Sequence, residues 1–204
     1  MAIAAQAGAA LKKSVLELGG SDPFVVLDDA DLDRAVIAAV QSRFRNSGQI
    51  CVAAKRIILD ARIAQAFTDR FVAAVRKLRV GDPTEESTYI GPMARHDLRD
   101  VLHEQVQETL RQGAKALLGA AKPAGPGNFY APTVLVDVEP GMTAFRQETF
   151  GPVAVITVAR DEAHALELAN DTEYGLSAAV WSGDPQRARR LATQIQAGAV
   201  FVNG

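Results

Sequence analysis

The sequence is poor in the residues that hold small secreted domains and metal centres together. Its 204 residues include one cysteine and three histidines. One cysteine cannot form an internal disulfide, and a structural zinc site needs about four thiolate or imidazole ligands. We therefore expect neither feature, and a reducing compartment, the cytoplasm, is the expected location.

Charge of one sign is also scarce, and so are long apolar runs. The net charge is -2 at pH 7, so no basic field is present that would neutralise phosphates, and nucleic acid is not an expected partner. The apolar N-terminal segment, residues 1–13, is shorter than the roughly 20 residues that span a bilayer and begins without the positive charge of a signal peptide. We predict a helix there and expect no membrane association.

Two groups of potential metal ligands fail the tests of known sites. The acidic cluster at 28–33 could begin a calcium loop at its second aspartate, but Arg34 and Val40 then occupy the places of the required glycine and glutamate. Aspartates before an apolar helix are explained more simply as caps of its free N–H groups. His96 and His103 would share a helix face, yet no third ligand accompanies them. We expect no metal site.

Two periodicities alternate along the chain. Short runs rich in valine, isoleucine and leucine predict strands at 15–18, 23–27, 56–59, 133–136, 152–158, 177–181 and 199–203. Apolar residues three and four apart predict helices at 31–43, 62–78, 94–112, 162–170 and 185–196. Strands that alternate with such helices indicate crossover units, so we predict an α/β fold, a three-layer α/β/α structure with a mostly parallel sheet. The glycine- and proline-rich residues 119–132 predict a loop.

Cys51 has two interpretations. A solitary cysteine is most often a small buried apolar residue. However, the helix predicted from residue 31 runs into Asn46, Ser47 and Gly48, which favour helix ends and turns. This order places Cys51 at a helix-to-turn junction, where backbone N–H groups can stabilise a thiolate. The thiol is therefore either a core residue or a nucleophile.

Two further segments combine a carboxylate with a glycine turn. Glu17 lies in the predicted strand at 15–18 and precedes two glycines; if the strand ends there, its carboxylate lies at the carboxyl edge of the sheet, where α/β proteins bind ligands. Glu148 and Phe150 precede a Gly-Pro turn that opens another strand. Taken separately, these residues are also consistent with an exposed strand residue, a polar turn residue and a core aromatic.

Taken in order and with their spacing, the segments LELGGSDPFVV, FRNSGQICVAAKR and ETFGPV resemble the aldehyde dehydrogenase superfamily. Within it, the chain is most similar to the succinate-semialdehyde dehydrogenases. The resemblance extends along the chain through the segments GPM, YAPTVL, NDTEYGLSAAVW and FVNG.

The resemblance implies a role for five residues. Cys51 corresponds to the catalytic nucleophile and Glu17 to the general base. Glu148 corresponds to the carboxylate that holds the nicotinamide ribose, Phe150 to the ring beside the nicotinamide, and the Leu18 carbonyl to a contact with the carboxamide. The cofactor implied is NAD or NADP.

The implied substrate is a small aldehyde, succinate semialdehyde or a similar acidic one. Arg45 occupies the place where succinate-semialdehyde enzymes carry an arginine for the distal carboxylate; the alternative is a solvated arginine near the negative end of a helix dipole. The implied chemistry is attack by the Cys51 thiolate, formation of a thioester, and hydrolysis by water that Glu17 activates. The Cys51 backbone N–H would stabilise the oxyanion.

The resemblance also implies that family members are more than twice as long as this chain and that the full-length protein is a homo-oligomer. Residues 1–14 would then be a leading helix left from the dinucleotide-binding domain, and residues 15–204 the catalytic domain. Because alignment of reactants contributes roughly 7 to 11 kcal/mol, we expect this fragment alone to be largely inactive. The alternatives are a truncated, non-catalytic structural or interaction domain and a cofactor-free thiol esterase.

Overall fold

A seven-stranded sheet forms the centre of the computed structural model, which describes residues 1–204. Its strands are β1 Asp22–Val26, β2 Ala54–Asp60, β3 Lys115–Leu118, β4 Thr133–Val136, β5 Val153–Ala159, β6 Ser177–Trp181 and β7 Ala199–Val202. They lie in the order β3-β4-β5-β2-β1-β6-β7, and every neighbouring pair is parallel except β3 and β4. The prediction of a mostly parallel α/β sheet is confirmed.

Seven α-helices connect these strands or flank them. They are α1 Ala2–Ala9, α2 Leu32–Phe44, α3 Ala64–Val75, α4 His96–Arg111, α5 Thr143–Arg146, α6 Glu162–Asn170 and α7 Pro185–Ala192, and a 3-10 segment, Arg45–Gly48, follows α2. Asp31, Asp161 and Asp184 cap α2, α6 and α7, since each carboxylate accepts a hydrogen bond from an early backbone N–H of its helix. No helix combines the length and the apolarity needed to cross a membrane.

The strands bury alternate side chains on opposite faces of the sheet. In β1, Phe24 and Val26 point into a core that α2 and α3 cover. Val25 and the following Leu27 point into a second core, which α4, α6 and α7 cover. Helices on both faces explain why the central strands are apolar throughout rather than alternating, and they establish the predicted three layers.

The prediction of a strand at 15–18 is wrong. Residues 12–21 form neither helix nor strand, and β1 begins only at Asp22. Val15 is 88% exposed and Leu18 70% exposed, so the apolar run has no neighbouring strand or core to stabilise it. The helix α1 before it buries none of its side chains.

One strand was not predicted. β3, at the end of the sheet, is four residues long and pairs antiparallel with β4. Three of its residues are exposed and one is half-buried, so it lacks the apolar run that marks the central strands. The predicted loop at 119–132 contains no helix or strand, as expected.

Candidate active site

The candidate residues lie near the amino ends of the parallel strands. Cys51 precedes β2, Glu148 precedes β5, and Gly20 precedes β1. These three strands are parallel neighbours in the sheet, so the segments that lead into them share one edge. The expectation that Glu17 lies at the carboxyl edge is therefore wrong, because its segment enters β1 at the amino end.

A left-handed backbone run delivers the chain to Cys51. Asn46, Ser47 and Gly48 have φ values of 51°, 55° and 72°, and such values cost on the order of 1 kcal/mol for a residue with a side chain. The Asn46 amide donates a hydrogen bond to the Gln49 carbonyl at 3.1 Å, and the Ser47 hydroxyl donates to the Gly91 carbonyl at 2.9 Å. These contacts hold the turn in its strained form.

Gly48 is required by the packing of this turn. A side chain there would collide with the backbone carbonyl of Gly151, quite apart from the positive φ. The turn before Cys51 thus lies directly against the segment that leads into β5. This close approach brings the cysteine segment and the Glu148 segment together.

The side chain of Arg43 joins the same two segments through hydrogen bonds. Its buried guanidinium donates hydrogen bonds to the carbonyls of Val153 at 2.6 Å, Thr149 at 2.9 Å and Gly48 at 3.3 Å. Burial lowers the pKa of Arg43 to about 9, so it remains protonated at neutral pH. These hydrogen bonds link the end of α2 to residues 148–153, which we call the β5 approach. The carbonyl oxygens also stabilise the buried positive charge.

Lys55 is a second buried cation, 1% exposed, and is the second residue of β2, four residues after Cys51. Its ammonium donates to the carbonyls of Ile50 at 3.0 Å and Cys51 at 2.8 Å, and forms an ion pair with Glu148 Oε1 at 3.1 Å. Burial lowers the pKa of Lys55, the charge of Arg43 lowers it further, and Glu148 opposes both. Lys55 therefore joins residues 46–51, which we call the cysteine turn, to the carboxylate of Glu148.

Glu148 is seated on the paired glycines that follow Leu18. The Gly20 N–H donates to its Oε1 at 3.1 Å, and any side chain at Gly19 would collide with Oε2. Oε1 is thus shared by an ammonium and a backbone N–H, whereas Oε2 accepts no hydrogen bond from the chain. One oxygen of the carboxylate is left for a ligand.

Phe150 and Leu18 lie beside this carboxylate without being part of the core. Phe150 is 38% exposed, and its ring centroid is 6.0 Å from the Lys55 ammonium. The interpretation of Phe150 as a core aromatic is therefore wrong. The Leu18 carbonyl accepts no backbone hydrogen bond, which leaves both groups open to a bound molecule.

Cys51 is partly exposed and is the only thiol of the chain. This exposure contradicts the interpretation of a buried core cysteine. Its backbone N–H donates no backbone hydrogen bond, so it is free to bind an oxyanion that forms at the sulfur. A cavity of about 250 Å³ opens beside the next residue, Val52.

Glu17 and Arg45 are not joined to this cluster. Both are exposed, and neither forms a hydrogen bond or an ion pair through its side chain. Arg45 begins the 3-10 segment and, with Tyr89, lines an open cavity of about 350 Å³. The structure thus brings together Cys51, Glu148 and Gly20, and leaves the two other charged candidates facing solvent.

Arg43 and Lys55 are the two functional candidates that sequence reasoning missed. A signal for Lys55 was present, because a cation adjoins the apolar run of a central strand, where a buried charge requires partners. No comparable signal marks Arg43, because two of its acceptors, the carbonyls of Thr149 and Val153, lie more than a hundred residues away in the sequence. Across residues 1–204, no group of three or more histidine, cysteine or acidic side chains is placed to hold a metal ion.

Comparison with known proteins gives a consistent result along the whole chain. The model of the aldehyde dehydrogenase family matches residues 1–204. The chain is 63% identical over 203 residues to the succinate semialdehyde dehydrogenase Sad of Escherichia coli strain K12, whose name specifies NAD(P)+, and this match covers 100% of the chain and 44% of that protein. A probable NADP+ succinate-semialdehyde dehydrogenase of Synechocystis is 46% identical over 98% of the chain and 44% of its own length.

Solved structures give the same result. The crystal structure of succinate-semialdehyde dehydrogenase from Burkholderia pseudomallei superposes with a TM-score of 0.96 at 40% identity, over 99% of this chain and 42% of that one. The chain therefore spans less than half the length of the relatives it matches.

Proposed function

The chain belongs to the aldehyde dehydrogenase family, and from that premise we propose that it carries the catalytic part of a NAD(P)-dependent enzyme that oxidises succinate semialdehyde to the acid. The observation that supports this proposal best is the placement of Cys51. The only thiol of the chain is partly exposed at the end of a strained turn and has a free backbone N–H, and Lys55 links its carbonyl to the Glu148 carboxylate, which keeps one oxygen unpaired.

In the first step, the Cys51 thiolate attacks the aldehyde carbon and a carbon–sulfur bond forms. The carbonyl electron pair moves onto oxygen, and the free Cys51 N–H stabilises the resulting oxyanion. The strained turn holds this N–H and the sulfur in one orientation. A nicotinamide cofactor, when bound, would supply the hydride acceptor for oxidation of the thiohemiacetal on Cys51 to a thioester.

In the second step, water hydrolyses the thioester. Glu17 accepts a proton from the water as the water oxygen bonds to the thioester carbon; the carbon–sulfur bond then breaks, and the acid and the Cys51 thiolate are released. Glu17 lies three residues before Gly20, where a Cβ would be only 2.6 Å from the Cys51 carbonyl, so its segment passes close to the cysteine turn. This adjacency supports the assignment of Glu17 as the base.

Three groups fit the nicotinamide end of the cofactor. Glu148 Oε2 has no partner within the chain and would accept hydrogen bonds from ribose hydroxyls. Phe150 offers an exposed ring, and the Leu18 carbonyl would accept from a carboxamide. The space that Gly19 leaves beside Oε2 fits the same arrangement, because a side chain there would displace the carboxylate.

The substrate assignment is supported by Arg45. Its guanidinium is exposed and has no carboxylate partner in the chain, so it is available to bind the distal carboxylate of an acidic aldehyde. The names of the relatives, which specify succinate semialdehyde, support the same substrate.

We extend the proposal to the organisation of the protein. Residues 1–14 are assigned to a neighbouring dinucleotide-binding unit, since α1 buries nothing against the sheet, and residues 15–204 to the catalytic domain. A homo-oligomer is supported by exposed apolar side chains such as Phe201 on the last strand of the sheet. The single exposed thiol favours a reducing compartment, the cytoplasm.

The test uses a hybrid protein in which this chain replaces the matching segment of the Escherichia coli relative. We expect the hybrid to form NAD(P)H from succinate semialdehyde, and Cys51→Ala to abolish this formation by more than about a thousandfold. Residual turnover at the level of the parent hybrid would refute the role of Cys51. We expect the 204 residues alone to form little NAD(P)H, because most of the cofactor alignment is then missing.

A cofactor-free esterase is the second candidate, because the exposed thiol and its free N–H are present in this chain by itself. Nitrophenyl acetate hydrolysis by the chain and by Cys51→Ala tests it. Equal rates would eliminate this candidate and leave the dehydrogenase proposal unchanged.

A further inference from the structure

Lys55 offers three N–H donors and has three acceptors. They are the Ile50 carbonyl at 3.0 Å, the Cys51 carbonyl at 2.8 Å and Glu148 Oε1 at 3.1 Å. An ammonium carries only three protons, so every one is used and none is left for a ligand. Two of the three acceptors belong to the backbone of the cysteine turn, and the third is the carboxylate of the β5 approach.

The charges around the Lys55 ammonium make its stability depend on Glu148. Lys55 is almost fully buried, and Glu148 is the carboxylate within ion-pair distance of it. Asp22 adds a weaker favourable charge, whereas Arg43 adds an unfavourable one. A buried cation that loses its carboxylate is costly, so the energy of the ammonium in its present position depends on the position and charge of Glu148.

We propose that Lys55 is a positioning residue that transmits the state of the Glu148 carboxylate to the backbone of Cys51. The inference rests on the proposed function, in which Cys51 is the nucleophile and Glu148 holds the cofactor. It adds a connection between the two residues. A ligand that binds Glu148 Oε2 shifts the carboxylate, and the Lys55 ammonium moves with Oε1. The carbonyls of Ile50 and Cys51, which accept from this ammonium, then move as well. The orientation of the thiol therefore depends on Glu148 through Lys55.

The single thiol of the chain makes this connection measurable without dehydrogenase turnover. The rate of alkylation by iodoacetamide reports on Cys51 alone in the 204-residue protein. The experiment compares the parent, Glu148→Gln, Lys55→Met and the double variant at one neutral pH, with far-UV circular dichroism as a check of folding. Lys115→Met, which removes an exposed lysine paired with Asp137, is the matched control.

We expect Glu148→Gln to change the alkylation rate by at least about fivefold when Lys55 is present, and by no more than about 1.7-fold in the Lys55→Met background, a difference larger than the tolerance of additivity. The control Lys115→Met should leave the rate unchanged. Additive effects of the two substitutions would overturn the inference, since independent structural roles predict additivity.

A failure of Lys55→Met to fold does not leave the question open. An unchanged alkylation rate in Glu148→Gln overturns the inference by itself, and a changed rate is then tested for coupling with Lys55→Gln in place of Lys55→Met. The two proposals also fail separately. Non-additive alkylation with an inactive hybrid protein would refute the dehydrogenase function alone, and additive alkylation with an active hybrid would refute the role of Lys55 alone.

Discussion

Gly20 packs against the backbone of Cys51 so closely that a Cβ at residue 20 would lie 2.6 Å from the Cys51 carbonyl oxygen. Real Cβ atoms are not found so close to a backbone oxygen, so the two segments meet only because residue 20 is glycine. The same Cys51 oxygen accepts from Lys55, and the Gly20 N–H donates to Glu148. The glycine thus completes a ring of contacts around the peptide of the proposed nucleophile.

Gly20→Ala should therefore disturb the cysteine turn. We expect a loss of about 1 to 3 kcal/mol in the free energy of unfolding, the usual cost of overpacking, and a change of at least about twofold in the alkylation rate of Cys51. Gly8→Ala is the control, because a Cβ there has no neighbour within 4 Å. Urea unfolding and iodoacetamide kinetics measure both effects, and equal results for the two variants would contradict this close approach.

Arg43→Met should be strongly destabilising. The substitution removes the buried guanidinium together with the hydrogen bonds that it donates to the carbonyls of Val153, Thr149 and Gly48. Hydrogen bonds from a charged donor contribute about 1.5 to 3 kcal/mol each, so we expect a loss of about 3 kcal/mol in the free energy of unfolding in urea. Arg34→Met removes an exposed arginine of the same helix and should stay within about 0.5 kcal/mol of the parent. Similar stability for both variants would show that Arg43 does not brace the site.

Asp60 should make folding stability depend on pH. The Arg62 side chain donates to both oxygens of its buried carboxylate at 2.9 and 2.7 Å and holds the pKa of Asp60 below its usual value of 3.8. A carboxyl with a lowered folded-state pKa contributes stability that is complete above the unfolded value and is lost as the pH falls through the folded value. Asp60→Asn should thus cost about 1 to 2 kcal/mol at neutral pH.

This cost should shrink as the pH falls below 3.8, because the parent then loses the same contribution. Thermal unfolding of the parent and of Asp60→Asn across this range provides the measurement. Arg62→Gln should lose the same pH-dependent part. A difference between parent and variant that stays constant down to strongly acidic pH would be inconsistent with a lowered pKa of Asp60.

The central fold could be predicted from the sequence because burial on both faces makes a strand apolar throughout. The runs in β4 and β6 have the same bounds in sequence and structure. The same rule fails for residues 15–18, since an apolar run shows what could be buried and not what covers it. It also fails for β3, whose exposed residues carry no burial signal.

The site was predicted less completely than the fold. The helix-ending residues at 46–48 correctly indicated a turn before Cys51, because the preference for a left-handed backbone depends on the residue type itself. The contacts that join this turn to the segment before β5 are not local: Lys55 reaches Glu148, and Arg43 reaches Thr149 and Val153, because β2 pairs with β5. Glu17 was assigned to the wrong edge of the sheet, because this assignment depends on where β1 begins.

Arg45→Gln should separate acidic from neutral aldehydes in the hybrid protein. If the exposed, unpaired guanidinium binds a distal carboxylate, its loss removes charge-assisted hydrogen bonds of about 1.5 to 3 kcal/mol, and the KM for succinate semialdehyde should rise at least about tenfold. Butanal lacks the distal carboxylate, so its KM should change by less than about twofold. Arg45→Lys keeps the charge without the fork of donors and should fall between the parent and Arg45→Gln. A parallel rise of KM for both aldehydes would mean that Arg45 supports the turn rather than the substrate.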